Sequence, residues 1–319
     1  MWKSGVLFGI ILLSCQASAL TFKSGQSLSG AEQSGPAIIT KEQIASCQKE
    51  NGISTSSDSW QAMSFNIRYD NSGDGGNAWP KRTHKVAQIF SDHNVDLGGL
   101  QEVLHNQFTW LQQNLTDYEF VGVGRDDGKT KGEYAPIFFR KSKFEMLSFD
   151  TVWLSETPDV PGSKGWDAAL PRIVTFATLR DKASDKIVLL GSAHYDHRGT
   201  QAKLNSGKVI QEYVSKKIAS LNNPIVILAG DFNDTSNTGT TRAIENENCL
   251  LDSYRVTKDK SGPNSTWNGF RSVAAFERID YVFTNQALPI LAHVIDDRRI
   301  DGGFPSDHLP VIVKLAAPK

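Results

Sequence analysis

The sequence predicts an α/β domain of mixed β-sheets covered by helices, and two features of its texture predict it. From Trp60 onward, short apolar runs alternate with longer amphipathic stretches, most runs being bounded by Gly, Asp or Asn. The intervals between runs are of both hairpin and crossover length, which argues for sheets containing parallel and antiparallel pairs. At 319 residues the chain can bury a sizeable core, since a domain typically takes ~100–200 residues. One domain is expected over residues 59–319.

Strands are expected at Ala62–Arg68, Leu97–Glu102, Tyr118–Val123, Ala135–Arg140, Ile173–Leu179, Ile187–Ala193, Pro224–Ala229, Ile279–Thr284 and Val311–Leu315. A helix is expected over Pro80–His93, where Pro takes an N1-like position. Another is expected from Thr200 to Leu221, with Ile210, Val214, Ile218 and Leu221 on one face. Residues 20–58 are rich in Ser, Gly and Gln and read as a lead-in segment with one short helix. There Thr40 and Gln43 form a capping-box pattern and Gly52 a stop.

Residues 1–19 read as a cleaved secretory signal, because Lys3 precedes the apolar run Val6–Leu13 and Ala17-Ser18-Ala19 supplies small residues for cleavage. Leu12-Leu13-Ser14-Cys15 also fits a lipoprotein box, which would make Cys15 a lipidated first residue. No run reaches the ~18 apolar residues of a membrane span, so membrane insertion is not expected. The expected location is secreted or periplasmic, and a monomer is expected. Loss of Cys15 with the signal would leave Cys47 and Cys249 where two thiols often pair.

Lys and Arg number 34 against 35 Asp and Glu, a net charge of −1. That balance excludes a basic nucleic-acid-coating protein, so any anionic substrate must be held by local charge or by metal. Hydrophobic residues at 39% and charged residues at 22% exclude global disorder, collagen and a bare coiled coil.

Strand after strand delivers a residue able to bind metal or move a proton: Asn66, Glu102, His194 with Asp196, Asp231 with Asn233, Asp280, and Asp307 with His308. One such ending is ordinary turn chemistry, because Asp and Asn bond their own backbone. Six are harder to explain that way. Packed sheets bring strand ends to one rim, where these side chains can fix a hard divalent cation through carboxylate and amide oxygens. The sequence has no His-x-x-x-His or Cys-x-x-Cys pair of a dedicated zinc site. The chemistry suggested is phosphoester hydrolysis, in which metal neutralises phosphate, a carboxylate activates water and a cationic donor stabilises the transition state.

At these residues the chain resembles the endonuclease/exonuclease/phosphatase superfamily. The matching blocks are Met63-Ser64-Phe65-Asn66-Ile67-Arg68-Tyr69, Leu100-Gln101-Glu102-Val103, Ser192-Ala193-His194-Tyr195-Asp196-His197-Arg198-Gly199, Gly230-Asp231-Phe232-Asn233, Arg278-Ile279-Asp280-Tyr281 and Ser306-Asp307-His308-Leu309-Pro310. Each block is weak alone, but their order along Trp60–Leu315 is specific. The resemblance implies the deoxyribonuclease I-like fold, a four-layer sandwich of two facing mixed sheets flanked by helices. It also implies Mg²⁺ or Mn²⁺ as cofactor, with Glu102 the principal ligand, Asn66 beside it and Asp307 a contributor. Asp231 would orient or deprotonate the attacking water, and Asn233 would position it. His308, held cationic by Asp280, would stabilise the phosphorane.

A second pair, His194 with Glu133, is implied by the lead-in Gly132-Glu133-Tyr134. Trp153-Leu154-Ser155-Glu156-Thr157-Pro158 and Leu170-Pro171-Arg172 point to a secreted or periplasmic-type subgroup of unassigned substrate. Arg172 and Arg198 would then face the phosphate as fixed donors, with Asp196 also at the substrate. Trp79 and Trp166 lie in loops and read as anchors rather than substrate stacks.

The expected activity is a nuclease-type phosphodiesterase, with Arg125, Lys129, Lys131, Arg298 and Arg299 as local basic clusters available to nucleic acid. The alternatives are a phosphatase of a small phosphorylated molecule, such as a sugar or inositol phosphate, and a non-catalytic secreted binding protein. Against the last stands the absence of any substitution at the matched positions.

Overall fold

The computed structural model describes residues 40–236, 238–245 and 248–319. The expected signal, Cys15 and residues 20–39 of the lead-in lie outside them. In chain order the elements are α1 (Lys41–Asn51), β1 (Thr55–Asn66), α2 (Thr83–Asp92), β2 (Leu97–Gln101), α3 (His105–Asn114), β3 (Tyr118–Val121), β4 (Ile137–Arg140), β5 (Phe144–Trp153), β6 (Ile173–Asp181), β7 (Ile187–His194), α4 (Thr200–Ser220), β8 (Ile225–Asp231), α5 (Gly239–Glu245), β9 (Leu251–Asp252), α6 (Ser253–Val256), β10 (Lys260–Ser261), β11 (Asp280–Thr284), β12 (Ile290–Ile295) and β13 (Val311–Pro318). Two 3₁₀ turns, Ser72–Asn77 and Trp79–Lys81, separate β1 from α2.

Seven strands form one sheet in the order β10-β12-β13-β1-β2-β4-β3, and six form a second in the order β5-β6-β7-β8-β11-β9. Both are mixed: β1 runs parallel to β2 but antiparallel to β13, and β8 runs parallel to β7 but antiparallel to β11. Strand alternation sorts the side chains into separate cores. Ile225, Ile227 and Ala229 of β8 join Ala62, Leu97 and Phe139 between the sheets. Val226 and Leu228 instead meet Ile210 and Val214 of α4 on the outer face. On the other flank, Met63 and Phe65 of β1 meet Ile89 and Phe90 of α2 and Leu111 of α3. The result is four layers, helices outside and two sheets within.

At one point the sheets touch closely. Ser192 Oγ donates to the Leu100 carbonyl at 3.1 Å, and a Cβ on Gly99 would fall 2.5 Å from Ser192 Oγ. Only glycine permits this approach, which brings the end of β2 within side-chain reach of the ends of β7 and β8.

Several elements escaped the sequence pattern. β5 is an edge strand whose middle is mostly exposed, so it lacks the apolar alternation that marks a half-buried strand. α3 has no polar N-cap; Gln107 Oε1 accepts from the Leu104 amide instead, at 3.0 Å. The helix expected at Pro80–His93 is split at Arg82, whose backbone (φ −130°) leaves the helical region. α1 is capped as expected, Gln43 N donating to Thr40 Oγ1 at 3.1 Å. Its Cys47 is disulfide-bonded to Cys249, with Cα atoms 5.6 Å apart. β1 begins at Thr55, within the segment expected as lead-in.

Candidate active site

The site rests on one rung of the six-stranded sheet. His194 on β7 is the register partner of Asp231 on β8, and Asp231 is the register partner of Asp280 on β11. Three adjacent strands therefore present their chemical groups side by side. The facing sheet offers its own rung, Asn66 opposite Gln101, with Glu102 one residue beyond. Asn66 joins the two rims: its Nδ2 donates to Glu102 Oε1 at 3.1 Å and to Asp231 Oδ2 at 3.0 Å, and lies 3.4 Å from His308 Nε2.

The chain leaves β1, β2 and β8 through non-glycine residues in the left-handed region: Arg68 (φ 57°), Glu102 (φ 59°) and Asn233 (φ 48°). Each costs on the order of 1–3 kcal/mol, and such strain clusters at functional sites. At Glu102 the turn is held by Tyr69 N, which donates to Oε2 at 3.3 Å.

His308 Nδ1 lies 2.9 Å from Asp280 Oδ2, and the whole pair is buried. Burial alone would depress the imidazole, but Asp280 and Asp231 together hold it protonated, well above its ordinary range. Asp231 is pushed up by burial and by the charge of Asp280. The Asn233 amide donates to Asp231 Oδ1 at 2.9 Å, while the Asn233 side chain donates to the Tyr195 carbonyl at 3.0 Å. Asn233 thus fixes the turn after β8 as well as its carboxylate.

Other expectations change. Asn66 Oδ1 accepts from Arg68 N at 2.9 Å, while its Nδ2 bridges the two carboxylates. Asp307 is raised by burial. It is separated from Glu102 by Arg68, whose guanidinium lies 3.7 Å from Glu102 and 3.8 Å from Asp307. Asp196, expected at the substrate, has both oxygens engaged within the fold: Oδ1 accepts from Arg198 N and Gly199 N, and Oδ2 from Ala169 N and Leu170 N. It is a loop anchor that also holds Arg172, at 3.4 Å.

Arg172 is only 4% exposed. Its Nη1 lies 3.1 and 3.0 Å from the two ring nitrogens of His194, and its Nη2 2.9 Å from His197 Nδ1. Burial and this guanidinium drive His194 down to about 3, so its ring is neutral. The expected His194–Glu133 pair is loose at 3.5 Å, because Glu133 bonds Arg125 at 2.7 Å. Arg198 is exposed, and among the described residues it is tied through its backbone N, which donates to Asp196 Oδ1.

Arg82, which no motif marked, is buried among carbonyls. Its guanidinium donates to Ile67, Arg68 (2.6 Å), Asn77 (2.8 Å) and Pro305 (3.2 Å). It ties the exit of β1 to the loop carrying Asp307 and His308. Desolvation lowers it to about 10, which still leaves it a cation. Trp79 is buried edge-on against Trp110, and Trp166 is held by Glu156, which accepts its amide.

The donors fit a hard divalent cation. Glu102, His194 and Asp231 offer ligand atoms within 4.8 Å of one another, whereas His308, held protonated by Asp280, has no lone pair to give a cation. Asp280 Oδ1 and Gln101 Oε1 are buried without a partner. Crowded carboxylates and unsatisfied oxygens are what an oxygen-seeking ion relieves.

Comparison with known proteins agrees with this geometry. A protein from Bacteroides vulgatus described as an endonuclease/exonuclease/phosphatase superposes with a TM-score of 0.77 at 38% identity, covering 82% of this chain and 99% of its own. A mannosyl-6-phosphatase from Bacteroides thetaiotaomicron gives 0.75 at 35% identity, covering 81% and 99%. An uncharacterised protein of Acanthamoeba polyphaga mimivirus is 27% identical over 249 residues, 74% of this chain and 91% of that protein. The sequence model of the Endonuclease/Exonuclease/phosphatase family matches residues 63–308, and with the two mixed sheets and their shared rim it places the chain in that family, whose members hydrolyse phosphoesters on the deoxyribonuclease I-like fold.

Proposed function

We propose that the protein is an exported, divalent-metal-dependent phosphomonoesterase acting on a small phosphorylated sugar. The observation carrying the reaction is the inter-sheet cluster in which Asn66 touches Glu102 and Asp231 beside the His308–Asp280 pair. In that cluster Asp231, raised toward protonation, takes the proton of the attacking water. Cationic His308 donates to a phosphoryl oxygen as charge builds on it, and Asp280 keeps the ring in place. Arg172 and Arg125, both buried, add fixed positive charge on the His194 side. A cation held at Glu102 would neutralise the phosphate.

The substrate class rests on the relatedness to a mannosyl-6-phosphatase along 99% of that chain. The nuclease-type phosphodiesterase that the sequence first suggests ranks second. Its basic clusters are partly spent: Arg125 is bonded to Glu133, and Arg298 to Asp296 and Asp92. Export rests on the pattern in residues 1–19, and the Cys47–Cys249 disulfide accords with an oxidising compartment.

The test is hydrolysis of mannose 6-phosphate, an aryl phosphodiester and single- and double-stranded DNA, with Mg²⁺, Mn²⁺ or chelator. Turnover of the sugar phosphate should vanish with chelator and fall ~10²–10⁴-fold in Asp231→Ala. Metal-independent turnover, or Asp231→Ala within a few-fold of the parent, would refute the reading. DNA cleavage that falls steeply with salt would move the assignment to the nuclease class.

A further inference from the structure

In the proposed reaction the groups described so far would take the phosphate, and none of them is assigned to the alcohol that leaves. Most described tryptophans are occupied elsewhere. Trp60 packs edge-on against Phe144, Trp79 against Trp110, and Trp153 donates its indole N–H to the Arg125 carbonyl. Trp267 differs: it is 38% exposed, and no aromatic ring or cation covers it among the described residues.

The backbone fixes its position. Leu309 N donates to the Thr266 carbonyl at 2.7 Å, and Asn268 N to the Asp307 carbonyl at 2.8 Å, so Trp267 and His308 form an isolated antiparallel bridge. This hydrogen-bond pattern makes them a non-hydrogen-bonded pair, in which the Cα atoms sit ~4.5 Å apart and both side chains stand on one face. The His308 side chain is the one directed at Asp280 and Asp231. The indole therefore stands beside the cationic histidine.

Its underside is equally defined. Gly269 has φ 55°, and a Cβ there would fall 2.9 Å from Trp267 Cη2 and Cζ2. The six-membered edge of the indole lies on bare backbone where no other residue would leave room. The same loop carries Phe276, 76% exposed, on the way to Asp280. A large apolar ring kept in water next to a reacting group is the arrangement of a binding surface rather than of a core.

We propose that Trp267 is the stacking surface for the ring of the substrate's alcohol, a pyranose, whose apolar C–H face lies on the indole while the phosphate reaches His308. This deepens the sugar-phosphate reading above and rests on it.

The experiment compares kcat and KM on mannose 6-phosphate and on glycerol 3-phosphate, which has no ring, for the parent, Trp267→Ala and Trp267→Phe. Stacking should make the ratio of the two specificity constants fall about tenfold in Trp267→Ala. The loss should come mainly through KM for mannose 6-phosphate, and Trp267→Phe should restore most of it. An unchanged ratio overturns the proposal. A second measurement separates this inference from the activity on which it rests. Tryptophan emission of the Mg²⁺-loaded protein is titrated with mannose 6-phosphate and compared with Trp267→Phe. A saturable change in the parent that disappears in the variant upholds the stacking surface even if turnover is nil; no change in the parent overturns it.

Discussion

Two histidines flank Asp231 at nearly the same distance, His308 Nε2 at 3.8 Å and His194 Nε2 at 3.7 Å from Oδ2. Both are buried, yet they differ in charge. His308 has a carboxylate, Asp280, against its other nitrogen and is held protonated. His194 has the Arg172 guanidinium against its ring and is driven to about 3. Burial pushes both imidazoles down, so the partner on the far side decides the sign. The site thus carries one cation built on histidine and another built on arginine, with a neutral imidazole between the arginine and the base.

The largest expected effect breaks that comparison outright. His308→Ala removes a donor to the developing charge and should lower kcat ~10³-fold. His194→Ala removes a neutral ring whose cationic neighbour remains, and the loss should be at least tenfold smaller. Equal losses, measured on the same substrate at saturating metal, would show that His194 also touches the reacting atoms.

Next in size are the partners. Asp280→Asn keeps the hydrogen bond to His308 but removes the charge that holds it protonated, and should cost kcat ~10²-fold. Arg172→Met should act differently, raising KM more than it lowers kcat, because a fixed cation there binds the phosphate in ground and transition states alike. A pure kcat effect from Arg172→Met would place its guanidinium on the transition state and dissolve the distinction.

The readable part of this site is the part that strand pairing builds. Asn66, Glu102, His194, Asp231 and Asp280 each close or follow a run of apolar residues, and register then sets them on shared rungs. A strand end is visible in a sequence, and so is the rim it reaches. Less visible were contacts made when loops fold back. From its place after His194, Asp196 reads as a substrate contact, but four backbone amides from two loops claim its oxygens. Arg82 has no motif, since a cation satisfied by carbonyls requires no charged partner at any fixed spacing. Trp267 gains its place from a single bridge to a residue 41 positions away, as its pairing with His308 implies. β5 is not legible in the sequence because an exposed edge strand need not alternate.

The smallest expected effect takes the comparison of histidines outside the site. His293 is buried on β12, its Nδ1 is 3.0 Å from Ser253 Oγ, and its Nε2 has no partner. Burial lowers it to about 4, helped by Arg278 and Lys260, while Asp252 opposes the shift. Its folded value is thus below the ordinary 6.5, so between pH 6.5 and 4 the unfolded chain takes up a proton that the folded chain refuses. Stability contributed by this neutral ring is full above pH 6.5 and drains away as the pH falls to about 4, by up to about 3 kcal/mol. His293→Asn cannot titrate there and should show a shallower fall in urea midpoint between pH 7.5 and 5.0 than the parent. His194, lowered likewise by burial and by the Arg172 guanidinium, keeps contributing a fall in the variant, so the slope should lessen rather than vanish. Parallel slopes in the two proteins would mean that His293 is not held neutral by its surroundings, and that burial has less hold on these imidazoles than their charged neighbours do.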